Sequence, residues 1–133
     1  MNMSDNELPE NDGQDPVITE SDRLIASDRI EGTAVFGKNH EKIGSVYNFM
    51  VDKVSGKASY AVMSFGGFLG IGERYHPLPW DALTYDVELG GYRVDISREQ
   101  LEEAPNFAAQ ENPWGDPEYG RRLHSHYGYP YGL

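Results

Sequence analysis

A chain of 133 residues accommodates one domain with its own apolar core, flanked by tails. It contains no cysteine, which excludes disulfides, thiolate zinc sites and cysteine nucleophiles together and agrees with a reducing cytoplasm. The net charge of −11 argues against a DNA-binding or anionic-membrane surface, because phosphate contacts need clustered Lys and Arg. The charge is unevenly placed: residues 1–20 hold six acidic groups and no basic one, whereas residues 21–104 hold thirteen acidic and nine basic. No run approaches the length of a membrane-spanning helix, so no membrane insertion is expected. The start, MNMSDNELPE, lacks the basic and apolar regions of a signal peptide. A cytoplasmic location is the expectation, and Asn2-Met3-Ser4 is then an accident of composition rather than a glycosylation site.

Residues 1–21 combine Asn, Asp, Glu, Pro and Gly with few apolar anchors, too few to offset the entropy of ordering, and read as a disordered acidic leader. The domain is expected over residues 22–105. Arg23–Ser27 and Gly32–Phe36 read as two short strands, joined through a polar turn at Gly37–Lys42 to a longer one. Ile43–Asp52 has no helical stripe; its alternating sets, Val46/Asn48/Met50 and Tyr47/Phe49/Val51, are both largely apolar. After a hairpin turn at Lys53–Lys57, Ala58–Phe65 repeats this two-faced pattern. Strands apolar on both faces fit a barrel whose outer wall meets a helix, a tail or another subunit.

The next segment, GGFLGIG, places Phe68, Leu69 and Ile71 among four glycines. The glycines permit tight reversals, and the three apolar side chains need cover, each worth roughly 1.5 to 3 kcal/mol when fully buried. Cover within the monomer and cover across an interface are equally compatible with the pattern. Arg74–Leu78 reads as a strand held to an edge or to strand ends by Pro77 and Pro79. Trp80–Leu83 reads as one helical turn, Thr84–Val87 as a strand, Glu88–Gly91 as a turn and Tyr92–Ile96 as the last strand. Ser97 and Gln100 form an S-x-x-Q capping box with Ile96 and Leu101 as a staple, which predicts one short helix ending at Ala104 before Pro105.

Residues 106–133 form a Gly/Tyr/Pro-rich tail with many aromatics, Trp114, Tyr127 and Tyr129 among them. Such rings bury large areas, so the tail either docks in part on its own barrel or a partner's, or stays disordered with a biased composition. Together the residues predict an all-β fold, a small barrel with one short C-terminal helix.

The string from Ile43-Gly44 through VYNFMVD, a Ser-Gly turn and YAVMSFGGFLGIGERYHPLPWDAL resembles the PRC-barrel domain. That domain is known from the reaction centre H subunit and from ribosome maturation factors. The resemblance covers roughly Arg23 to Ala104, and its most specific piece is GGFLGIG followed at the right distance by PLPWDAL. It implies a small, strongly bent antiparallel β-barrel of about six strands, a docking role and no catalytic residue set. The chain is most similar to free-standing bacterial members, which are sometimes linked to stress.

The chemistry-bearing residues each have an ordinary reading. The glycine loop lacks the Lys-Ser/Thr of a phosphate loop. His124 and His126 form an H-x-H pair with no Cys or acidic partner within a few residues, and His40 and His76 stand alone, so no metal or cofactor is expected. No serine sits in a nucleophile elbow. Asp52, Glu73 and Asp81 can gather at one barrel end, where solvated or turn-capping carboxylates are the commoner finding. Lys38, Lys42, Lys53 and Lys57 flank turns, where they keep sheet edges soluble.

The resulting expectation is a non-catalytic interaction module that self-associates as a homodimer or larger and meets an unidentified protein partner. Phe68, Leu69, Ile71, Trp80, Trp114, Tyr127 and Tyr129 are the contact candidates. The alternative is a small-molecule or metal-responsive binding protein with its site between barrel and tail. An RNA or ribosome-linked adaptor is least favoured.

Overall fold

β2 (Lys42–Val51) and β3 (Ala58–Phe65) form the antiparallel hairpin that the two-faced pattern places at the centre of the chain. The computed structural model describes residues 23–65 and 74–131. The expected acidic leader and the apolar loop tips Phe68, Leu69 and Ile71 therefore lie outside the described residues. The β2–β3 turn is held by Asp52, whose Oδ1 accepts from the backbone N–H groups of Val54 at 2.9 Å and Ser55 at 2.8 Å. Gly56 closes it with φ 79°, a left-handed conformation that costs glycine nothing. The register shifts twice: Tyr47 is an extra residue in β2 between Val46 and Asn48, and Ser59 is an extra residue in β3 opposite the step from Met50 to Val51. Each such bulge increases local twist.

β4 (Arg74–Pro79) pairs antiparallel with β3, after which a 3-10 turn at Trp80–Ala82 leads into β5 (Thr84–Asp86) and its hairpin partner β6 (Gly91–Arg93). β1 (Ala34–Phe36) then joins the two groups, pairing antiparallel with β2 and parallel with β6, with Val35 opposite Tyr92. The strand order is β4-β3-β2-β1-β6-β5. The expected six strands are present, but the sheet is mixed rather than antiparallel throughout.

Nor is it closed into a barrel, because its end strands β4 and β5 do not pair with each other. The chemistry of β4 explains this. Pro77 and Pro79 have no amide hydrogen to offer, and Tyr75 exchanges backbone hydrogen bonds at 2.9 and 3.0 Å with Phe107 of the tail.

Three further expectations are corrected. Arg23–Ser27 is not a strand; the regular element here is the short helix α1 (Ser27–Ile30), which exists to bury Ile30. The last strand stops at Arg93, although Val94 continues toward β1 by donating its N–H to Phe36 O at 2.9 Å. The expected helix is present as α2 (Arg98–Glu102), with Ser97 Oγ accepting from Gln100 N–H at 3.1 Å. It is not the one C-terminal helix, because the tail contains a 3-10 turn at Pro113–Gly115 and a longer helix, α3 (Tyr119–Tyr127).

α3 presents Tyr119, Leu123 and Tyr127 at four-residue spacing, a stripe that lies along one helix face. All three are buried in the same cluster as Val35, Ile43, Val46, Met63, Leu78, Val94 and Leu101. The tail is thus part of the same hydrophobic core as the sheet. It also covers the second face of β3, where Trp114 and His124 lie against Tyr60.

Candidate functional site

Of the residues expected to make contacts, four lie in the described structure. Trp80 sits in the turn between β4 and β5, half-buried, with its ring 6.1 Å from Phe49 and 5.9 Å from Tyr92. Trp114 is held by an Asn112 cap and packs 5.3 Å from Tyr60 and 5.5 Å from Tyr119, the latter edge-on. Tyr127 is buried, and Tyr129 is half-buried against the core. Trp114, Tyr127 and Tyr129 accordingly spend much of their area on the chain's own sheet.

The tail's arrival creates a cleft of about 550 Å³ between the β2–β3 turn, the Trp80 turn and the chain beyond α3. Three aromatic rings, Tyr60, Trp80 and Tyr131, line it, with the carboxylates of Asp52 and Asp81 beside them. Its inner wall is fixed by His124, whose Nε2 lies 3.1 Å from the Tyr60 hydroxyl. Tyr131 stands edge-on to His124 at 5.3 Å. Two glycines make this approach possible. Gly128 turns the chain with φ 79° and, with Tyr129, donates its N–H to the His124 carbonyl. Gly120 lies against both phenols: a Cβ there would stand 2.9 Å from Tyr131 Cε1 and 3.0 Å from the Tyr60 hydroxyl.

The electrostatics follow from these contacts. Burial raises the Tyr60 phenol above its ordinary pKa, and the neighbouring Tyr131 phenol adds to the shift. The N–H groups of Ser55 and Val54 hold Asp52 below the usual carboxylate range, so it is ionised wherever the protein is near neutral pH. Asp52 and Asp81 thus share a cleft, as their grouping in the sequence suggested, while Glu73 lies outside the described residues.

The H-x-H pair does not converge. On a helix the two side chains diverge: His124 faces Tyr60, and the Nε2–H of His126 donates to Gln100 O at 2.7 Å. Among the described residues no group of three metal-ligating side chains occurs. A larger, more open cleft of about 840 Å³ between the end of α2 and α3 carries Arg74, Arg121 and Arg122. Each guanidinium there already meets a carboxylate, Glu111 at 3.9 Å, Glu118 at 3.4 Å and Asp116 at 3.3 Å respectively.

Apolar surface remains elsewhere. Tyr47, at the bulge of β2, is 52% exposed and lies 4.5 Å from the Tyr75 ring, which in turn lies 5.6 Å from Phe107. Tyr60, Tyr131 and Tyr47 were not singled out as site residues in the sequence. The only available signal was the doublet of alternating apolar sets, which marks both faces without saying which neighbour covers which.

The fold is a six-stranded mixed sheet in which Pro-Leu-Pro-Trp ends β4 and opens the turn to β5. The model of the PRC-barrel domain matches residues 22–101, more than half of the chain, and the chain belongs to that family. No curated protein matches it in sequence. Among the described residues no helix is long and apolar enough to cross a membrane.

Proposed function

We propose that this protein is a non-catalytic cytoplasmic interaction module that associates with copies of itself. The observation that carries the reading is the aromatic ridge of Tyr47, Tyr75 and Phe107, in which Tyr47 is exposed while Tyr75 and Phe107 are half-buried beneath it. Tyr75 is the second residue of β4, so the ridge adjoins in sequence the segment with Phe68, Leu69 and Ile71. An exposed tyrosine backed by further aromatic rings suits a contact site, since tyrosine buries much area and keeps a polar end. The pairing of the arginines with carboxylates and the lack of clustered metal ligands among the described residues favour docking over chemistry.

Light scattering across a concentration series tests this. Association that grows with concentration and is weakened by Tyr47→Ser is the expected result. A strict monomer at the highest soluble concentration refutes it. The second reading, a binding protein with its site between sheet and tail, is favoured by one specific observation, the Tyr60–Trp80–Tyr131 cleft.

A further inference from the structure

We propose that the cleft between the β2–β3 turn and the tail binds an alkylammonium group, supplied by a lysine side chain or by a free polyamine. Self-association is not required for this. The donor set is what such a group recognises: aromatic faces attract a cation through their quadrupole within about 6 Å of the ring centre, and flanking carboxylates add the charge term. Tyr60, Trp80 and Tyr131 provide the rings, and Asp52 and Asp81 the charges. An anion would meet two carboxylates. A bare metal ion would find too few ligands, since no group of three occurs among the described residues.

The cleft is not neutralised from within. Lys57 also lines the cleft, is exposed and forms no ion pair with either carboxylate. Arg121 lies over the Tyr131 ring at 5.0 Å but belongs to the neighbouring cleft. His124, the remaining titratable group on the wall, is engaged with Tyr60. The site is also partly preformed, because the His124–Tyr60 contact holds one ring and the missing side chain of Gly120 leaves room for Tyr131 beside it before any ligand arrives. The chain's net charge of −11 raises the local concentration of cations around it.

The test is an NMR titration of the full chain with spermidine, with an N-acetyl-lysine amide, and with the neutral norleucine amide of similar shape. Binding of the two amines moves the Trp80 indole and Tyr131 ring resonances, weakens with added salt, and weakens about fivefold in Asp81→Asn and in Tyr131→Ala. Tyr131 lies at the end of the described chain and half-exposed, so its loss spares the core. The tighter of the two amines identifies the source. Absence of shifts up to about 10 mM amine overturns the proposal. Equal response to the norleucine amide, or an Asp81→Asn affinity identical to that of the parent, overturns it as well.

Discussion

His76 makes the stability of this fold depend on pH between 6.5 and about 4. It sits on β4 opposite Met63 and is 3% exposed. Burial lowers its pKa from 6.5 to about 4; the Arg74 charge acts in the same direction, and a backbone hydrogen bond at Arg74 acts against it. In the unfolded chain the ring takes a proton below its ordinary pKa, whereas in the folded chain it stays neutral down to about pH 4. The contribution is therefore fully present above pH 6.5 and is lost as pH falls toward 4, at up to about 1.4 kcal/mol per pH unit and about 3 kcal/mol in all. Against a typical domain stability of about 5 to 15 kcal/mol that is a large share. Asp52, Asp86 and Asp116 also have lowered pKa values, each held mainly by backbone N–H groups, but their loss begins only around and below 3.8.

The assay is urea unfolding, followed through tryptophan fluorescence, at steps between pH 7 and 4 for the parent and for His76→Leu. The parent is expected to lose stability across that window while the variant's curve is flatter by one proton. Parallel curves would show that His76 is not shielded as its burial implies.

Two further outcomes follow from the packing. Gly44→Ala places a Cβ 2.5 Å from Met63 Cε and 2.6 Å from the Ser64 carbonyl oxygen. Because one of these is backbone, the β2–β3 ladder must shift, and a loss of about 1 to 3 kcal/mol in chemical unfolding is expected. The buried Tyr127 hydroxyl has no hydrogen-bond partner among the described residues, and burial raises its pKa, as it raises that of Tyr119 to about 12. Such stability is present below pH 10 and lost as pH rises above it, so Tyr127→Phe is expected to be as stable as the parent at pH 7, or more so by about 1 kcal/mol, and to lose less above pH 10, as read by thermal melts.

What was legible in the sequence was local. The alternation in Ile43–Asp52 and Ala58–Phe65, the Ser-Gly turn and the Ser97 cap each depend on residues within a few positions of one another, and each is found as expected. The parallel pairing of Val35 with Tyr92 joins distant segments and leaves no periodic trace. α3 was hidden for a different reason. Its residues YGRRLHSHY have poor helix propensity, and the Tyr and Gly content of the tail masks the four-residue stripe that packing converts into a helix. For the cleft, the carboxylates could be grouped in advance. The rings could not, because Tyr60 and Tyr131 meet only when Gly128 folds the tail back.

The placement of β1 has a consequence for how the molecule comes apart. β2, β3 and β4 form one run of neighbouring strands, and β5 with β6 forms another; among the described residues the only strand pairings between the two runs pass through Ala34, Val35 and Phe36. Each run closes short loops and assembles quickly, but their union requires a long loop to close on a very short strand. β1 is thus a seam between two local folding units. Partial opening of the sheet runs along it, with the apolar cluster around Val35 as the clasp.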